Sequence, residues 1–160
     1  MYNILLFDDR PQVRNYLEDC FSFKGMKVYA CRNIHEAKSN WREHKDELDA
    51  IVLDMMMPSD GLSKDLRTQT KGGLLTGWEW IWNDINPEHV EPHPAANMCI
   101  VIYSAYLDNF KEYIEKTASD AEKDFINQIK RIPKGPNKEE EVIEYVIKDF
   151  KEKEAHKESK

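Results

Sequence analysis

Five residues carry the chemistry open to this chain: Asp8, Asp9, Asp54, Ser104 and Lys134. Each stands at the end of a short apolar run. Asn3–Phe7 (NILLF) ends on Asp8-Asp9, and Ile51–Leu53 (IVL) ends on Asp54. Met98–Tyr103 (MCIVIY) ends on Ser104-Ala105, and Ile129–Pro133 leads into Lys134. Three carboxylates brought together repel and raise one another's pKa values. A hard divalent cation removes that cost. Mg²⁺ suits one or two carboxylates, a backbone carbonyl, waters and a phosphoryl oxygen. A lysine and a hydroxyl nearby can hold the remaining phosphoryl oxygens. Such a set is suited to phosphoryl transfer onto a carboxylate, where catalysis is mostly positioning and charge neutralisation.

The elements that must bring these residues together follow from the pattern. The runs are short, rich in Ile, Val and Leu, and do not alternate, as in parallel strands buried on both faces. Met26–Cys31 is a further strand of this kind. Between the strands lie helical faces. The first is Val13, Tyr16, Leu17, Cys20 and Phe21, with Pro11 suited to its opening turn and Gly25 to its end. The second carries Ile34, Ala37 and Trp41, and the next begins near Gly77 and holds Trp78, Trp80 and Trp82. Leu107–Ile114 follows, with a further short helix at Ala121–Gln128, and the last face is Val142–Phe150. Asn33 and Asn137, each three residues before a glutamate, read as helix caps. Strand and helix alternate five times, which predicts an α/β fold with a doubly wound, five-stranded parallel sheet. The carboxyl ends of all five strands then share one edge, where open α/β sheets place their sites. One domain is expected over residues 1–150, followed by a charged tail over 151–160.

These motifs resemble the response-regulator receiver domain of the chemotaxis-Y type. The resemblance rests on LLF-Asp8-Asp9, on IVL-Asp54-MMM-Pro58, on IVIY-Ser104-Ala105 and on Lys134, and it spans nearly the whole chain. It implies the (βα)5 flavodoxin-like fold and a Mg²⁺-dependent switch. Asp54 would take a phosphoryl group from a histidine kinase or phosphotransfer protein. Asp9 would bind Mg²⁺ directly, Asp8 directly or through water, and the Met56 carbonyl would be the backbone ligand. Ser104 and Lys134 would hold the phosphoryl group. Signalling would run through a downstream protein docking on the face of the fourth helix, fifth strand and fifth helix. With no output domain evident after the fifth helix, that output is expected in trans. Met56 and Tyr106 stand two residues past Asp54 and Ser104, positions that tune phosphoryl lifetime in this family. Both are bulky, so slow self-dephosphorylation is expected rather than enzymatic turnover.

The chain departs from the family pattern in four places, one of them a stretch between Ser104 and Lys134 that is longer than usual. Residues 59–76 contain an insertion of about 15 residues, far beyond an ordinary loop, expected near the mouth of the site. Gly135 separates the lysine from its proline, which leaves Lys130 as a competitor for Lys134. The aromatic usually found before the lysine falls on Arg131, with Tyr103 or Tyr106 as substitutes. These departures keep open a receiver-like interaction module that works without phosphorylation. A haloacid-dehalogenase-type phosphatase would need Asp-x-Asp after the first strand, and Asp8-Asp9-Arg10 does not supply it.

The bulk composition narrows the field further. A net charge of −7 with no basic cluster argues against a nucleic-acid surface. The scattered Cys20, Cys31 and Cys99 suggest reduced thiols in a cytoplasmic protein. No apolar run approaches a membrane span. Trp78 and Trp82 would share a core face, with Trp80 pointing elsewhere as a candidate partner contact. His89 and His93 are four apart, but Pro92 and Pro94 speak against a helical metal site there.

Overall fold

A strand buried on both faces must be apolar at every position, whereas an edge strand need not be. The computed structural model, which describes residues 1–160, sorts the strands on this rule. β1 (Asn3–Phe7), β3 (Ala50–Leu53) and β4 (Cys99–Ser104) are buried almost throughout, and β2 (Lys27–Cys31) and β5 (Lys130–Pro133) are not. The sheet is wholly parallel in the order β2-β1-β3-β4-β5, so the three apolar strands are central and the two mixed ones are edges.

Alternate residues of each strand face opposite sides. Ile4, Leu6, Val52, Val101 and Ile132 pack with Leu17, Phe21, Val142, Val146 and Phe150, from α1 (Pro11–Phe23) and α7 (Lys138–Glu158). Leu5, Phe7, Ile51, Leu53, Ile100 and Ile102 pack on the other side. There they meet α2 (Ile34–His44), α4 (Thr76–Glu79), α5 (Leu107–Lys116) and α6 (Asp120–Ile126). The second layer is the larger, because it takes in the tryptophans and the added segments.

The two asparagine caps differ. Asn33 accepts from the Glu36 N–H at 2.9 Å, and Glu36 reaches back to the Arg32 N–H, also at 2.9 Å. Asn137 is not a side-chain cap. It sits in the left-handed region at φ 60°, and Lys138 N–H instead closes a turn onto the Gly135 carbonyl at 3.2 Å. A Lys-Gly-Pro approach turns too sharply for the extended backbone that a capping side chain needs. α7 also continues to Glu158, through most of the charged tail. Tyr2 donates to Glu154 at 2.6 Å, and Lys153 donates to the Asn97 carbonyl at 3.2 Å.

The tryptophan segment departs most from its simple helical reading. After α4 the chain adds one residue to a turn, giving a π-helix over Trp80–Asp84 in which Ile85 N–H bonds the Trp80 carbonyl at 3.0 Å. That leaves the Ile81 carbonyl without its usual partner. His93 supplies one, its Nε2 lying 2.8 Å from that oxygen, while its Nδ1 accepts from Ala95 N–H at 3.1 Å. This pair of bonds requires the neutral ring with hydrogen on Nε2. Both nitrogens are therefore engaged in holding the turn. Trp80 is not a surface contact: it is fully buried, edge-on to Phe7 and Trp41. The added residue rotates the helix, and layers close over both of its sides.

Residues 59–76 are folded. Ser63 caps α3 (Lys64–Gln69) by accepting from Leu66 N–H at 3.3 Å, and Leu62, Thr70 and Leu75 are buried. Lys38 of α2 donates to the Gly61 carbonyl at 2.5 Å, pinning the segment to the body of the domain.

Candidate functional site

Three of the site residues are held by the sheet itself, one step past their strands. Asp8 N–H bonds Cys31 O at 3.1 Å, Asp54 N–H bonds Phe7 O at 2.9 Å, and Lys134 N–H bonds Ser104 O at 3.0 Å. The ladder thus continues beyond the last strand residue and fixes where each side chain begins.

The side chains converge. Lys134 Nζ lies 2.7 Å from Asp8 Oδ2 and 2.7 Å from Asp54 Oδ2. All three side chains are almost completely buried. Asp8 Oδ1 also accepts from Arg10 N–H at 2.8 Å, and Arg14 donates to the Asp8 carbonyl at 2.9 Å. Asp54 Oδ1 accepts from Met56 N–H at 3.3 Å. Asp9 is the least buried of the three carboxylates, and each of the three places an oxygen within 4.8 Å of the others. Burial raises the Asp8 pKa and the neighbouring Asp54 adds to the rise, while Lys134 opposes both.

Ser104 is fully buried at the end of β4, with its Oγ accepting from Tyr106 N–H at 3.2 Å. Tyr103, also buried, has its ring centre 5.6 Å from Lys134 Nζ. Lys130 is not in this group, for its Nζ sits over the Tyr145 ring at 5.5 Å. Gly77 closes the floor. Its N–H bonds Met55 O at 3.0 Å, and a Cβ on it would lie 2.0 Å from the Asp54 carbonyl oxygen. Only a residue without a side chain lets that helix approach the acceptor strand so closely.

Sequence reasoning missed two contributors, Thr76 and Arg14. Thr76 Oγ1 donates to the Met57 carbonyl at 2.7 Å. A threonine before a glycine and an arginine on an exposed helical face carry no signal of either contact.

No family model matches the sequence, and no curated protein matches it. Solved structures do match. The N-terminal domain of an uncharacterized protein from Wolinella succinogenes is 20% identical, with a TM-score of 0.58 over 98% of this chain and 99% of that one. The response regulator TrrA from Thermotoga maritima, in complex with Mg²⁺ and BeF, is 20% identical, with a TM-score of 0.54 over 92% and 98%. The CheX–CheY–BeF3–Mg²⁺ complex from Borrelia burgdorferi matches at 18% identity, with a TM-score of 0.56 over 93% and 89%. The fold is that of a response-regulator receiver domain.

On this receiver fold the three aspartates offer hard oxygen donors in one place, with the carbonyl oxygen of Met56 bonded to no protein donor. That donor set is of the kind Mg²⁺ takes. No helix is long and apolar enough to cross a membrane.

Proposed function

We propose that the protein is a response regulator whose receiver domain, over residues 1–150, accepts a phosphoryl group on Asp54 in a Mg²⁺-dependent reaction and signals by binding another protein. The observation that carries this reading is the Lys134 ammonium bridging Asp8 and Asp54 beside Asp9, at the carboxyl edge of the sheet.

The residues divide the work as follows. Asp54 Oδ attacks the phosphorus of a phosphohistidine on a histidine kinase or phosphotransfer protein. The new O–P bond forms as the N–P bond breaks, and the imidazole nitrogen leaves with the electron pair and takes a proton. Asp8, Asp9, Asp54 and the Met56 carbonyl would hold Mg²⁺, which when bound offsets the charge on the phosphoryl oxygens. Lys134, which bonds Asp8 and Asp54, would supply a second positive charge to the phosphoryl oxygens. Ser104, buried at the edge of the site, donates its hydroxyl to a phosphoryl oxygen. Output then runs through a protein docking on the α5/α6–β5–α7 face. With bulky residues, Met56 and Tyr106, two positions past Asp54 and Ser104, the phosphoryl group is expected to leave slowly, and no external substrate turns over.

The test is intact mass after incubation with acetyl phosphate and Mg²⁺, with Asp54→Asn in parallel. One added phosphoryl group is expected, absent from the variant and absent without Mg²⁺. A folded wild type that gains none would instead support an interaction module working without phosphorylation.

A further inference from the structure

The loop after the acceptor presents three successive carbonyls, and the downstream chain claims two of them. Gly77 N–H takes the Met55 oxygen at 3.0 Å, and the Thr76 hydroxyl takes the Met57 oxygen at 2.7 Å. Met57 N–H in turn donates to the Gly73 carbonyl at 3.2 Å. The oxygen of Met56, between the two, receives no protein donor. A single cleft is lined by Asp9, Met56, Met57, Pro58, Gly72 and Gly73, which places this loop against the carboxylate Asp9.

The fit is close on the side that holds Met57. A Cβ at Gly73, which has φ +95°, would lie 2.9 Å from the Met57 oxygen. Thr76 is fully buried, so water cannot take over from its hydroxyl. Resting on the proposed Mg²⁺ site, we infer that Thr76 is a positioning residue for that site: by holding the Met57 carbonyl it fixes the acceptor loop so that Met56 supplies the backbone oxygen. The end of the inserted segment thereby becomes a working part of the metal centre. Groups that orient ligands from behind in this way typically alter metal affinity by about 10–100-fold when removed.

The experiment is a Mg²⁺ titration of the full chain followed through backbone amide shifts, with Asp9 and Met56 as reporters. Thr76→Val keeps the size of the side chain and removes the donor. It is expected to weaken Mg²⁺ binding about tenfold, with amide shifts outside the acceptor loop unchanged. Thr76→Ser restores the donor and is expected to bind as the wild type does. Thr76→Val binding Mg²⁺ like the wild type would overturn the inference and leave the proposed metal site standing. A wild type that binds no Mg²⁺ would overturn both. If the valine variant does not fold, Thr76→Ala, which also removes the donor, takes its place: about a tenfold loss supports the role and wild-type Mg²⁺ binding overturns it.

Discussion

Lys134 Nζ lies 2.7 Å from Asp54 Oδ2 and the same distance from Asp8 Oδ2, so one ammonium serves two buried carboxylates. Removing one partner of such a group leaves the rest buried and uncompensated, which costs far more than the pair's net worth. Lys134→Ala is therefore expected to lower stability by about 3 kcal/mol without Mg²⁺. Saturating Mg²⁺ should return much of that loss, because the cation replaces the missing charge. Urea unfolding with and without MgCl2 reads both numbers. Equal losses in the two conditions would separate the lysine from the proposed metal site.

Asp8 must be ionised to hold a cation, yet burial and Asp54 raise its pKa. Its folded pKa lies above the unfolded value, so the fold favours the protonated acid and acidification does not cost stability through this group. Metal binding runs the other way, since Mg²⁺ competes with that proton. Stabilisation by Mg²⁺ is expected to shrink as the pH falls, beginning above the ordinary carboxylate range. Melting temperatures at fixed Mg²⁺ between pH 7.5 and pH 5 give the profile. A Mg²⁺ increment that stays constant across that range contradicts the assignment of Asp8.

The parallel sheet could be read from sequence because buried strands announce themselves. β1, β3 and β4 are unbroken apolar runs, and the residue closing each run falls on one edge. β5 is the faintest of the five in the sequence, since Lys130 and Arg131 occupy an edge strand that tolerates charge. What stayed hidden depends on contacts between distant segments. The π turn at Trp80–Asp84 leaves no local mark, and its partner His93 lies in a proline-rich stretch that gives no regular pattern. The alternating tryptophans invited the view that one of the three faces outward. Tertiary layers on both sides of that helix buried all of them. Residues 59–76 show no sustained period because α3 is under two turns long and opens on the Ser63 cap, while Lys38 pins the segment before it, at Gly61.

Gly77 offers a backbone test of the acceptor's position. A methyl group there would meet the Asp54 carbonyl at 2.0 Å, so one of the two backbones must move. Gly77→Ala is expected to cost about 3 kcal/mol or more, at the severe end for a single substitution. In whatever fraction stays folded, Asp54 should be displaced and phosphorylation by acetyl phosphate reduced. Denaturant unfolding alongside intact mass measures both. A variant as stable as the wild type would mean that the helix is not seated against Asp54 as described.

His93 ties pH to stability in the opposite sense from Asp8. Its ring packs in a three-ring cluster with Trp82 and Phe125, donates to the Ile81 carbonyl and accepts from Ala95 N–H. Burial lowers its pKa, with His89 pushing the same way and Glu91 and the Ile81 bond resisting. The unfolded chain takes up a proton below about pH 6.5, whereas the folded chain resists it. The contribution of His93 is therefore complete above that pH and is lost as the pH falls toward the folded value. His93→Ala is expected to cost about 2 kcal/mol at pH 7.5, since it orphans a buried carbonyl and removes a packed ring. At pH 5 the gap between variant and wild type should narrow. Urea unfolding of both proteins at the two pH values makes the comparison independent of every other titrating group they share. A gap of the same size at both would mean that the ring accepts a proton in place, and that the π turn does not depend on the neutral form.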